Sequence, residues 1–292
     1  MRLRVVLGVF AVLTVLVVAG AYLAVRSISG KLPTIVTQGC TVVGTVAGQS
    51  NRVTLEPEQL GNAATISAVG ITRGLPERAV VVALATALQE SKLYNLDGGD
   101  RDSVGLFQQR PSQGWGSAQD IADPRYAAGK FYSALVKIPH WADLDVAEAA
   151  QKVQKSAYGS AYQRWSDEAQ ILADAFAGRS SGSVGCVITD QPPQRGTAAS
   201  QSLAHGVELD WGQLDTVTDD ALPGVVVTVD ADRTGWQLAH WLVAQAAARG
   251  VKRVQFGDRQ WTARTGTWGH ATTATLASAG ERVIAEVYPD QP

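Results

Sequence analysis

One helix constrains this chain more than any other segment. Residues 76–91 open on Pro76-Glu77, a common helix start, and continue almost entirely in Val, Ala and Leu. Val81, Leu84, Ala85 and Leu88 share one face, and Ala83, Thr86, Ala87 and Glu90 share the opposite one. A helix that is apolar or small around nearly its whole circumference has to be enclosed by other elements, so the fold is built around it. Glu90 falls in the last turn, on the side where small residues let another segment come close. Burial there disfavours a carboxylate relative to the protonated acid. Glycosidic cleavage calls for a protonated carboxyl, because the leaving oxygen must gain a proton as the bond breaks.

The context of Glu90 narrows the reading. Glu90-Ser91 is followed by Gly105-Leu106-Phe107-Gln108-Gln109-Arg110-Pro111 and then by Asp123-Pro124. With Gln89, these residues resemble the paired Glu-Ser and Gly-Leu-Met-Gln signatures of soluble lytic transglycosylases and goose-type lysozymes, over about residues 76–178. The resemblance implies a lysozyme-like domain that acts on peptidoglycan glycan strands without a cofactor. It makes Glu90 the general acid/base, assigns Ser91, Gly105, Leu106, Phe107, Gln108 and Gln109 to the sugar cleft, and gives Tyr158 a positioning role. Two departures stand out: Phe107 replaces the family's Met, and Ala157-Tyr158-Gly159 replaces Ala-Tyr-Asn. Gly99-Asp100-Arg101 resembles the Gly-Asp-Arg that goose-type lysozymes place before their second signature.

The reaction type turns on a second carboxylate. An inverting hydrolase needs one to activate water, whereas a lytic transglycosylase lets the substrate's own 6-hydroxyl attack and manages with one Glu. Asp100 and Asp102 are the candidates; the competing reading of this Gly-rich stretch is a turn whose Asp side chains hold backbone amides. A calcium loop lacks the ligand series and the terminal Glu. Trp115, in a Gly-rich loop, is a candidate for stacking on sugar, while Trp165 sits in an apolar stripe and reads as core.

The flanks set the expected compartment. Residues 5–25 carry no charge and, at about 1.5 Å per residue, can span a hydrocarbon core of about 30 Å. Arg2 and Arg4 precede the run, so residues 1–4 are expected inside and the bulk outside as a single-pass membrane protein; secretion after cleavage near Ala19-Gly20-Ala21 is the alternative. Cys40 and Cys186, 146 positions apart, would then meet oxidising conditions and pair.

The expected fold is α+β: a transmembrane helix at 5–25, a tether at 26–39, a mainly-α lysozyme-like domain at 40–186 closed by the disulfide, a linker at 187–203, and a small α/β accessory domain at 204–292. Helices are expected from Pro57 to Gly74, from Pro76, from Asp123-Pro124, from Asp145 with Glu148 as a capping box, and along Tyr162, Trp165, Ala169, Leu172 and Phe176. His205, Asp210, His240 and His270 lack metal-ligand spacing, so no metal is expected. A net charge of −2 without a basic run argues against a nucleic-acid partner. The expected function is glycan-strand cleavage at Glu90; the alternative is an inactive lysozyme-like module that binds glycan or assists wall assembly.

Overall fold

The computed structural model describes residues 37–155, 159–218, 223–271 and 281–290. Strands β1 (Gly39–Val46) and β2 (Gln49–Leu55) form the expected hairpin. Its turn residues Ala47 and Gly48 both have positive φ, as the right-handed strand twist favours. Helix α1 (Pro57–Thr72) starts at Glu56, whose backbone N–H donates to Gln59 Oε1 at 2.8 Å. Then come α2 (Glu77–Ser91), the short α3 (Ala118–Ile121), α4 (Pro124–Leu135), α5 (Val146–Gln154) and α6 (Ser166–Phe176). Helix α4 is capped by Asp123, which accepts from the Arg125 backbone N–H. Helix α5 begins after Asp145 without the side-chain cap that the Asp145/Glu148 spacing predicts.

Helix α2 is enclosed as its composition demands. Every residue from Ala79 to Leu88 is buried, with α1, α4, α5 and α6 packed around it. Each Val or Leu so buried stabilises the fold by about 1.5–3 kcal/mol. Strand β3 (Val184–Val187) returns beside β1, giving the antiparallel order β2-β1-β3. Cys40 and Cys186 face each other across that ladder and are joined by a disulfide.

The remaining elements are α7 (Gly196–Trp211), β4 (Thr216–Val217), β5 (Gly224–Thr228), α8 (Asp232–Ala244), α9 (Ala246–Arg249), β6 (Val251–Phe256), β7 (Arg259–Thr262), β8 (Trp268–His270) and β9 (Arg282–Val287). Six of these strands form an antiparallel sheet in the order β4-β5-β9-β6-β7-β8. Helices α7 and α8 pack on this sheet and also on α1, so one layer of helices serves both halves.

The expected fold class is corrected in its C-terminal part. Among the described residues no helix is long and apolar enough to cross a membrane; the run at 5–25 lies outside them. The C-terminal part is not an α/β unit, because each strand pairs antiparallel with its neighbours. Of the stretch expected as a linker, residues 188–195 carry no helix or strand and α7 begins at Gly196, while residues from Gln38 onward form one compact unit around a shared core.

A buried polar network fastens the halves. Asp210 of α7 accepts from Thr65 Oγ1 of α1 at 3.0 Å and from Trp241 Nε1 of α8 at 2.7 Å. Its other oxygen lies 2.5 Å from Arg125 Nε of α4, a close ion pair whose N–H is not aligned for a hydrogen bond. His240 of α8 is also fully buried. Its Nδ1 donates to the Ala175 carbonyl at 2.8 Å, and its Nε2 accepts from the Ser183 N–H at 3.2 Å. Both of these histidine contacts are structural ties.

Burial lowers the His240 pKa to about 4. Folding therefore favours the neutral ring: the stability it confers is complete above the unfolded-state value near 6.5 and is lost as pH falls from there toward 4. The linkage amounts to about 1.4 kcal/mol per pH unit, or about 3 kcal/mol over that window. Thermal melts of wild type and His240→Gln between pH 7 and 4 should show the variant less stable at pH 7 and the gap narrowing with acid. Parallel profiles would refute the assignment.

Candidate functional site

Helix α2 ends where Lys92 and Leu93 both take left-handed backbone, φ 57° and 65°. Glu90 is half-buried in the turn just before this stop, and Ser91 beside it is buried. The Ser91 hydroxyl lies 2.8 Å from the Leu106 carbonyl and 3.1 Å from the Ala87 carbonyl, so its one proton is shared between the loop and its own helix. The two segments singled out in the sequence thus meet at a buried hydrogen bond.

The second segment is a tight turn. Val104 and Gln109 exchange backbone hydrogen bonds of 3.0 and 3.1 Å, closing the loop around residues 105–108. Gly105 takes φ +77° and donates its N–H to the Leu96 carbonyl; a Cβ there would lie 2.8 Å from the Ile121 carbonyl, so the turn requires glycine. Leu106 and Phe107 point into the core, with Phe107 stacked on Phe131 at 4.7 Å between centroids. Gln109 is buried and donates to the Ala127 carbonyl. These three side chains anchor the loop rather than line a cleft, and the half-buried Gln108 is the side chain of the segment left toward solvent. Gln154 of α5 adds a clamp, donating to the Phe107 carbonyl at 2.7 Å.

The partner of Glu90 was not singled out in the sequence. Tyr162 donates its hydroxyl to Glu90 Oε1 at 2.5 Å from a ring that is otherwise buried. The apolar stripe through Tyr162 and Trp165 reads as α-helix, but residues Gly159–Trp165 form a 3-10 turn before α6. That tighter turn brings the phenol to α2. The available signal was Tyr in place of Phe at a core position, since a buried phenol needs a hydrogen-bond partner.

Around this pair is a charged rim. Gln89 accepts from Trp165 Nε1 at 2.9 Å and from Arg164 at 3.0 Å. Lys92 Nζ sits 4.1 Å above the Trp165 ring, so Trp165 is a half-buried platform rather than plain core. Burial, then the Arg164 charge, pulls the Lys92 pKa down, with Glu168 and Glu90 opposing. Burial, then Asp167, pushes Glu168 up, with Lys92 and Arg164 opposing.

The two aspartates are placed differently. Asp102 is engaged through both oxygens, Oδ1 by Arg110 Nε at 2.7 Å and Oδ2 by the Ser112 N–H at 2.8 Å. Arg110 above all, with Ser112, holds its carboxyl well below the usual range. Asp102 therefore fastens the loop. The Asp100 side chain is 92% exposed, with Arg101 at 3.9 Å. Trp115 is half-buried, and Tyr158 lies outside the described residues. A cavity of about 390 Å³ between the two sheets, lined by residues such as Arg52, Ser183, Arg259 and Trp268, contains none of the sequence-predicted site residues. Among the described residues no group of three or more His, Cys, Asp or Glu is placed to hold a metal.

No protein-family model matches the chain, and no curated protein matches it either.

Proposed function

We propose that this chain is an exported enzyme that cleaves peptidoglycan glycan strands by the lytic transglycosylase route, with Glu90 as the one acid/base. The observation that carries the reading is the junction at the end of α2. There Ser91 ties the Glu90 turn to the Gly105–Gln108 loop, and Tyr162 fixes one oxygen of the Glu90 carboxyl. With Oε1 held, Oε2 is the oxygen that delivers a proton to the glycosidic oxygen. The resulting carboxylate then takes the proton of the substrate's 6-hydroxyl as that oxygen closes on the anomeric carbon. No water is consumed, so no second carboxylate is needed. The engagement of Asp102 and the exposure of Asp100 favour this route over inverting hydrolysis. Export is supported by the disulfide, which persists in oxidising compartments.

The test is product identity. The full-length chain incubated with purified sacculi is expected to release soluble muropeptides that end in 1,6-anhydro sugars by mass spectrometry. Reducing ends would replace the transglycosylase route with hydrolysis. Binding to sacculi without release would leave a glycan-binding module and remove the enzyme.

A further inference from the structure

An open groove of about 710 Å³ runs between the end of α1, the loop through Trp115, helix α4 and the end of α5. Five cations line it: Arg73, Lys130, Lys137, Lys152 and Lys155. Among the described residues no Asp or Glu lines it, although acids outnumber bases in the chain by 27 to 25. Charge of one sign concentrated along a groove raises the local concentration of the opposite sign.

Among the described residues, Trp115 and Tyr126 are the aromatic side chains that line the groove. The Tyr126 ring carries Lys130 Nζ at 5.1 Å from its centroid. Its hydroxyl passes over Gly116, where φ is +137° and a Cβ would lie 2.4 Å from the phenol oxygen. Trp115, half-buried and next in sequence to Gly116, also lines the groove. Arg73 is held by the Gly129 carbonyl at 2.7 Å and Ser133 Oγ at 2.9 Å, and Lys152 has Glu148 at 3.4 Å. The α5 end of the groove is adjacent in sequence to a residue of the Glu90 junction. Val153 and Lys155 flank Gln154, which grips the Phe107 carbonyl, and the neighbouring Leu106 carbonyl meets Ser91 next to Glu90.

We propose that this groove binds an anionic glycan, a saccharide chain bearing repeated carboxylate or phosphate groups. The lysines neutralise the charges while Trp115 and Tyr126 pack against the sugar faces. That the bound strand leads to Glu90 rests on the functional reading above; the anion binding does not.

The experiment measures binding without turnover. Fluorescence anisotropy of the full-length chain is read with labelled oligogalacturonate, linear polyphosphate and a neutral chitooligosaccharide. Oligogalacturonate is expected to bind more tightly than the neutral chain, and to weaken steeply as salt is raised. In Lys130→Gln/Lys137→Gln/Lys155→Gln, with an unchanged melting temperature, it should bind about tenfold more weakly with a shallower salt dependence, since each exposed contact is individually modest. Trp115→Ala should weaken oligogalacturonate but leave polyphosphate unchanged, because only the former has sugar rings to stack. Equal affinity for neutral and acidic chains, or full binding by the triple-lysine variant, overturns the proposal. Cleavage of sacculi without anion binding likewise removes the groove and leaves the enzyme. Anion binding with no cleavage removes the enzyme and keeps the groove.

Discussion

Glu90→Gln is expected to lower muropeptide release by about 10²- to 10⁴-fold, the usual contribution of a positioned general acid/base. The fold should survive, because Gln keeps the shape of Glu and its Oε1 still accepts from Tyr162 at a half-buried position. A melting temperature near that of wild type, together with the lost release, would separate chemistry from unfolding. Tyr162→Phe is the companion measurement. It removes a hydrogen bond to the carboxyl while leaving the ring in the core, and is expected to cut kcat by about tenfold with KM little changed. A Tyr162 that served only as packing would leave kcat alone. Wild-type release by Glu90→Gln would sink the assignment, and the junction at α2 would then be a structural clasp with no catalytic use.

The central helix was legible because its signals are local. Pro57, Pro76 and Pro124 mark helix starts, a buried circumference marks α2, and alternation marks the β1-β2 hairpin. Helix α7 was not legible. Its buried side uses Ala199, Ser200, Leu203, Gly206, Val207 and Asp210, so close packing is achieved through small and polar residues that leave little hydrophobic period. The large sheet misled in an instructive way. The strand–helix–strand run of β5, α8 and β6 is part of what reads as a small α/β unit, and the two strands do run in the same direction, since each is antiparallel to β9. What no local pattern reveals is that β9, from the end of the chain, inserts between them and makes every pairing antiparallel. At the site, Glu90 and its loop were visible as motifs. Tyr162 and the clamping of Asp102 by Arg110 depend on which side chains the fold brings together, which spacing alone does not encode.

Replacing both cysteines, Cys40→Ala with Cys186→Ala, is expected to be the most destabilising change away from the chemistry. The bridge closes a loop of 146 residues, and on the chain-entropy account such closure removes about 5 kcal/mol of freedom from the unfolded chain, with measured losses commonly about 2–5 kcal/mol. The native state has little to adjust, because both residues are already buried partners on adjacent strands whose ladder continues on either side. Urea unfolding of the oxidised wild type and the double variant should therefore give a lower midpoint for the variant. It should also give a steeper slope, since an unbridged chain exposes more surface when it unfolds. An unchanged midpoint would mean that the β1–β3 pairing and the packing of α6 against β1 hold the ends together without the bond. A large loss would make folding conditional on oxidation, and the compartment in which the thiols can pair would then decide where the Glu90 site can form.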